Sequence, residues 1–139
     1  MNLETSIVIP FYDEEECVEA VISEMYSALQ QADITFEVVA VQNGSQDRAG
    51  VLLEGLKGQY KELRVVEVPV NKGYGYGVLQ GLSAAAGEIL GYMPGDGQVA
   101  ANTVLKLLEE MRRMGVEVGK TRRVRRQESS LRRLTKLPK

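Results

Sequence analysis

The sequence predicts an α/β domain built on a doubly wound, mostly parallel sheet with helices on both faces. Two observations carry this. Short apolar, β-branched runs alternate with stretches of helical spacing, over and over, with short connections. Each apolar run also ends in a polar turn containing Asp, Asn or Gly, and open α/β sheets place ligands at the carboxyl ends of their strands.

The elements follow in order. Ser6 to Pro10 is a buried first strand stopped by proline. Asp13 is placed to cap the next helix, with Glu14, Glu15 and Glu16 in its first turn, where the helix dipole favours negative charge. Val18, Val21, Ile22, Met25 and Leu29 then share one face up to about Gln31. Phe36 to Val41 is the second strand. It runs into the polar turn Gln42 to Asp47, and a helix is expected over 48–60. Leu63 to Val68 is the third strand, followed by a glycine-rich loop, Asn71 to Gly77, and a helix over 78–86 whose small residues Gly81, Ala84, Ala85 and Ala86 allow close approach to the sheet. Ile89 to Met93 is the fourth strand. After it comes the turn Pro94-Gly95-Asp96-Gly97-Gln98, a helix over 99–114, and Val116 to Gly119 as a fifth strand. Asp13, Asn43, Asp47, Asn71 and Asp96 therefore share one rim. Asp96 and Gln98, two apart, can converge on one cation or phosphate-bound metal.

Composition excludes several chemistries. With no histidine, Ser-His-Asp and Cys-His catalysis and His metal sites are unavailable, so a metal would be a hard cation held by oxygens. The single Cys17 forms no internal disulfide and fits a reducing compartment, so a cytoplasmic location is expected. No apolar run approaches the roughly 20 residues of a membrane span. No P-loop is present, and GYGYG lies after the third strand, not after the first as a dinucleotide fingerprint requires.

Charge divides the chain unevenly. Residues 1–110 carry 6 Lys+Arg and 17 Asp+Glu, net −11, whereas 111–139 carry 11 and 2, net +9. At this length one domain is expected, a ligand-binding α/β domain over 1–119, followed by a basic carboxyl-terminal segment over 120–139. The basic segment is either a solubilising tail or a contact for phosphates, whether of a nucleotide, nucleic acid or an anionic membrane surface.

Five motifs in order make the chain resemble the family-2 inverting glycosyltransferases of the GT-A fold, in particular the polyprenyl- and dolichyl-phosphate sugar transferases. The match covers residues 5 to about 135. Ser6-Ile7-Val8-Ile9-Pro10-Phe11-Tyr12-Asp13-Glu14-Glu15 is similar to the opening V-I-P-x-Y-N-E-E, and Val41 to Asp47 to V-D-D-G-S-x-D. Asn71-Lys72-Gly73 with Gly77 and Gly81 resembles the N-x-G-x-G-x-x-x-x-G loop and helix. Pro94 to Gln98 falls where the family has D-x-D-x-Q, and Gly119 to Arg123 resembles its G-S-R segment.

The resemblance implies a glycosyltransferase that binds a nucleotide-diphosphate sugar and transfers the sugar, with inversion, to a lipid-phosphate or glycan acceptor. It implies Mg²⁺ or Mn²⁺ as cofactor on Asp96 and Gln98. It assigns Pro10, Tyr12, Glu14, Asn43, Asp47 and Lys72 to the nucleotide and Arg122 and Arg123 to phosphate, and gives no catalytic base. Polyprenyl phosphate or an anionic membrane surface is an implied partner, which would make the protein peripheral at the inner membrane face, while nucleic acid is not. Two departures stand out: Pro94 replaces the first Asp of D-x-D, and Gln42-Asn43 replaces the paired Asp of V-D-D. The acceptor half of the family would follow residue 119, so an uncovered sheet edge and self-association are expected. The alternative is a catalytically impaired nucleotide-binding module of the same fold. Asp47 is equally a helix cap, and Tyr74 and Tyr76 are expected to cover apolar surface.

Overall fold

A computed structural model describes residues 3–117. The element order is β1 (Thr5–Phe11), α1 (Val18–Gln31), β2 (Phe36–Asn43), α2 (Ala49–Lys57), β3 (Leu63–Val68), α3 (Tyr74–Ala84), β4 (Ile89–Tyr92) and α4 (Ala101–Met114). The chain divides into two units, Met1–Leu105 and Lys106–Lys139. The first holds the whole sheet. The described part of the second is the end of α4, where Arg113 pairs with Glu110 one turn earlier, and the residues just after it.

The sheet has the order β3-β2-β1-β4, all strands parallel. Parallel strands covered on both faces read as continuous apolar runs, and every residue of β1 is buried. Ile7, Ile9 and Phe11 with Val38 and Ala40 face α1 and α2, forming a core with Ile22, Met25, Leu29 and Leu53. Val8, Val39 and Val41 face the other way, toward Leu82 and Ala85. A Cβ on Gly81 would overlap Val8 Cγ1, so α3 lies directly on the sheet, as its small residues predicted.

One buried carboxylate stitches the layers. Glu37 accepts from Ser6 Oγ and from Ala86 N, both at 2.7 Å, and pairs with Arg64 Nε at 3.3 Å. A charge is tolerated at a buried strand position only with such partners.

Several boundaries differ from expectation. α1 begins at Val18, after Cys17 at its N-cap, so Asp13 does not cap it and Glu14 to Glu16 lie in a preceding turn. Asp13, at φ 51°, is instead bonded to the loop after β2. β2 runs on to Asn43, two residues further than the polar composition suggested. α2 is shorter than 48–60, with its C-cap at Gly58. α3 starts at Tyr74, so Gly75, Tyr76 and Gly77 are helical and not loop, and Gly77 fits against the Asn43 side chain. Tertiary contact outweighs the low helix propensity of those glycines. α4 starts at Ala101, not Val99. Val116 and Glu117 lie in no strand, and the rest of the expected fifth strand falls outside the described residues, as do Arg122, Arg123 and the basic segment over 120–139. Among the described residues, no helix is long and apolar enough to cross a membrane.

Candidate functional site

The carboxyl ends of β1, β2 and β4 open onto a cleft of about 300 Å³ lined by Pro10, Tyr12, Glu14, Asn43, Asn71, Tyr74, Pro94, Gly95 and Asp96. It lies where open α/β sheets bind ligands.

Its floor is Asn43. As the last residue of β2 this side chain is held by the ladder and only 2% exposed. Nδ2 donates to Gly73 O at 3.3 Å, and Asn71 Nδ2 donates to Asn43 O at 3.0 Å. Oδ1 has no hydrogen-bond partner among the described residues. A buried acceptor left unpaired costs roughly 1–3 kcal/mol, so it calls for a partner that arrives with a ligand. Gly73, at φ 108°, takes a conformation that favours glycine and lets the chain enter α3 beside this floor.

One wall comes from the loop after β1, which is tied to the loop after β2. Asp13 N donates to Ser45 Oγ (3.0 Å), Ser45 Oγ donates to Phe11 O (3.2 Å), and Gln46 N donates to Asp13 Oδ1 (2.7 Å). Arg48 N donates to Glu15 Oε1 (2.9 Å) and Glu15 N to Asp47 Oδ2 (3.0 Å). Asp47 Oδ1 accepts from Ala49 N (2.9 Å). Both oxygens of Asp47 are therefore engaged by backbone, and it does not line the cleft. Tyr12, 45% exposed, stands at the mouth with its ring available.

The opposite wall is the turn after β4. A Cβ on Gly95 would sit 2.5 Å from Phe11 Cδ1 and 2.7 Å from Pro10 O, so only glycine lets this turn seat against β1. Gln98 N donates to Asp96 Oδ1 at 3.0 Å, closing an Asx turn. The Cys17 thiol reaches Asp96 O at 3.5 Å. The Gln98 side chain is exposed and does not line the cleft. Lys72 is exposed too, its Nζ 5.3 Å from the centre of the Tyr76 ring.

Electrostatically the site is acidic. Glu14 is pushed above the usual carboxylate range, first by burial and then by the charges of Asp96, Asp47 and Asp13. The Cys17 thiol is pushed up by burial, Glu14, Asp96 and Glu16, which keeps it protonated and unreactive. Among the described residues no three Asp, Glu or Cys side chains gather as a metal cage. The donor set fits a hard divalent cation in another way: among the described residues one carboxylate oxygen of Asp96 has no hydrogen bond, and a cation would relieve the mutual repulsion seen at Glu14. Mg²⁺-type sites commonly use one or two carboxylates and complete their shell with substrate phosphates.

Of the residues expected at the site, Pro10, Tyr12, Glu14, Asn43 and Asp96 come together here. Asp47, Lys72 and Gln98 stand back from the cleft. Asn71, expected on the rim but given no ligand role, lines it as well, and Tyr74, Pro94 and Gly95 line it without having been assigned to it. The Asn-x-Gly start of a helix pointed to Asn71; nothing in the sequence separated Tyr74 from Tyr76.

Comparison with known proteins gives the family and the fold. The chain is 30% identical, over 93% of its length, to the undecaprenyl-phosphate 4-deoxy-4-formamido-L-arabinose transferase of Pectobacterium carotovorum, and spans 39% of that relative's length. Its structure is similar to that of the mannosyltransferase PcManGT from Pyrobaculum calidifontis in complex with GDP-Man and Mn²⁺. There the TM-score is 0.66 at 20% identity, covering 80% of this chain and 33% of that one. It is also similar to glucosyl-3-phosphoglycerate synthase from Mycobacterium tuberculosis in complex with Mn²⁺, UDP and glucosyl-3-phosphoglycerate. In that case the TM-score is 0.62 at 24% identity, with 78% and 39% covered. These neighbours share the GT-A architecture. The glycosyl transferase family 2 model matches residues 6–138, and with nearly the whole chain inside that match, the protein belongs to glycosyl transferase family 2.

Proposed function

We propose that the cleft binds a nucleotide-diphosphate sugar, and that the protein serves its transfer, with inversion, to a lipid-phosphate or glycan acceptor. The observation that carries this reading is the joint placement of Asn43 and Asp96 on one cleft, an unpaired amide acceptor on the floor and a carboxylate at the rim. The base would lie toward Asn43, whose Oδ1 accepts an N–H from the ring edge, with Tyr12 covering it. Pro10 and Glu14 line the path between, and Glu14 suits a ribose hydroxyl. Asp96 faces the diphosphate. PcManGT with GDP-Man and Mn²⁺, and the synthase with UDP and Mn²⁺, support both the ligand class and the cofactor.

A divalent ion, Mg²⁺ or Mn²⁺, bound at Asp96 would neutralise charge developing on the departing diphosphate. The chain's own residues do the rest. Asn43 and Tyr12 orient the donor, and the closely packed Pro94–Asp96 turn holds it against β1. Inversion needs the acceptor oxygen to attack opposite the leaving group; an acceptor phosphate is already ionised near neutral pH and needs no protein base. The name of the arabinose transferase includes undecaprenyl phosphate, which supports a lipid-phosphate acceptor here. Arg122, Arg123 and the basic segment would serve phosphate or an anionic membrane surface, and association through the β4 edge would complete the reading. Lys72 and Gln98 stay secondary to it, since neither lines the cleft.

A second reading is a binding module without turnover. Its one support is Pro94, which stands where the family has the first D-x-D carboxylate. Calorimetric titration of UDP, GDP and their sugars, with and without Mn²⁺, tests the site. Metal-dependent binding of one nucleotide, lost in Asp96→Ala, is the expected result; no binding of any nucleotide would overturn the proposal. Sugar release to an added acceptor then separates the two readings.

A further inference from the structure

Helix α4 carries more apolar surface than the core uses. Val104 and Leu105 pack against the core that faces α1 and α2. Leu107, Met111 and Met114 recur at i, i+4 and i+7, a second apolar stripe along one face of the same helix. Among the described residues none of these three joins either core. Leu107 and Met111 are half-buried, and Met114 is 61% exposed.

The end of the helix extends this stripe. Gly115, at φ 67°, turns the chain so that its own N–H and that of Val116 both donate to Met111 O, at 2.9 and 3.3 Å. Such a C-cap returns Val116, 43% exposed, to the end of the stripe beside Met111. Met114 and Val116 thus make an apolar tip on the surface, and the nearby Glu110 is paired with Arg113.

The chain around that tip is basic. Arg112 and Arg113 lie in the last turn of α4, and residues 118–139 carry 9 Lys+Arg against 1 Asp+Glu. Exposed aliphatic side chains next to so much positive charge suit a bilayer whose headgroups are anionic. A nucleic acid fits less well, because residues 94–139 contain no Phe, Tyr or Trp on which a base could stack. A second copy also fits less well, since two such ends would bring like charges together.

We propose that the end of α4 is a membrane-contact element. Met111, Met114 and Val116 enter the interface of an anionic bilayer, and the basic residues that follow in sequence bind its headgroups. The contact deepens the reading of the basic segment given above, selecting a bilayer over a free phosphate, and it involves no residue of the cleft.

The test is co-sedimentation of the full chain with vesicles, for the wild type and for Met114→Ser/Val116→Ser. One set of vesicles is phosphatidylcholine alone, and the other is phosphatidylcholine mixed with phosphatidylglycerol. The wild type should bind the mixed vesicles, more weakly as salt is raised, and leave the neutral ones. The serine variant should bind the mixed vesicles about tenfold more weakly, as withdrawal of partly buried apolar side chains does. Met114→Leu/Val116→Leu keeps the apolar surface and should bind as the wild type does. A serine variant within twofold of wild type overturns the proposal, because the contact is then one of charge alone. A leucine variant as weak as the serine one also overturns it, as does equal binding to both vesicles or binding to neither. Release of the wild type from vesicles by a single-stranded oligonucleotide at equal phosphate concentration overturns it in favour of nucleic acid. No nucleotide sugar is present, so failure here leaves the cleft reading standing.

Discussion

The two walls of the cleft are built on different principles. The wall after β1 is a lattice of hydrogen bonds, Asp13 to Ser45 and Gln46, Glu15 to Arg48 and Asp47, Asp47 to Ala49. The wall after β4 has one Asx bond at Asp96, a thiol contact and the packing of Gly95 on Phe11. The first wall is held by many weak, partly exposed bonds; the second by a single steric fit. On the proposed reading, the end that would face the base is therefore preorganised, whereas the end that would face the diphosphate keeps a carboxylate oxygen without a hydrogen bond among the described residues, ready to take up a cation.

The sharpest way to break this contrast is Gly95→Ala. The added methyl meets the Phe11 ring and Pro10 O with nothing able to yield cheaply, so a loss of about 2–3 kcal/mol is expected. Urea unfolding checks it, and a loss below about 1 kcal/mol would show that the turn is not sterically seated. Next in size is Asp47→Ala, which strips acceptors from Glu15 N and Ala49 N at once. A cost of about 1–2 kcal/mol is expected, with nucleotide affinity nearly unchanged, since Asp47 does not line the cleft. A large fall in affinity at constant stability would instead put Asp47 on the ligand.

Asp96→Asn separates charge from shape. The amide oxygen can still accept from Gln98 N, so thermal unfolding should move by no more than about 0.5 kcal/mol, in the range of surface substitutions. The increment in nucleotide binding on adding Mn²⁺ should disappear, which calorimetry reads directly.

The smallest effect is that of pH on Glu14. Its carboxyl is raised in the folded state, so the folded protein binds more protons than the unfolded one between the two pKa values. Ionised Glu14 therefore subtracts from stability above the folded value, and the penalty fades as pH falls through the carboxylate range. Glu14→Gln should be slightly more stable than wild type at pH 7 and equal to it near pH 3; Mg²⁺ should shrink the neutral-pH gap. Unfolding curves at the two pH values decide it, and a variant less stable at pH 7 would contradict the sign.

Much of this was legible in the chain. Apolar runs such as Ser6 to Pro10 read as covered strands, and the polar turns following them fall on one rim, so the sequence alone puts Asn43, Asn71 and Asp96 together. The glycosyltransferase motifs named the same turns. What misled was local chemistry judged in isolation. Glu14 to Glu16 look like a helix start because acidic residues favour that position, yet Asp13 and Glu15 find better acceptors and donors thirty residues away. Tyr74 to Gly77 look like a loop because glycine is a poor helix former, yet packing on Asn43 draws them into α3.

By itself, then, the sequence determined the alternation of strands and helices, the parallel sheet, the ligand-bearing rim and the family, because these follow from periodicity and from residue types at strand ends. The tertiary structure alone decided which rim residues face the cleft. Asp47 turns its oxygens to backbone and Gln98 turns away, while Tyr74 is brought in against Tyr92. That choice depends on loops tens of residues apart competing for the same hydrogen-bond partners and the same few ångströms of space, and no local pattern in the chain records the outcome.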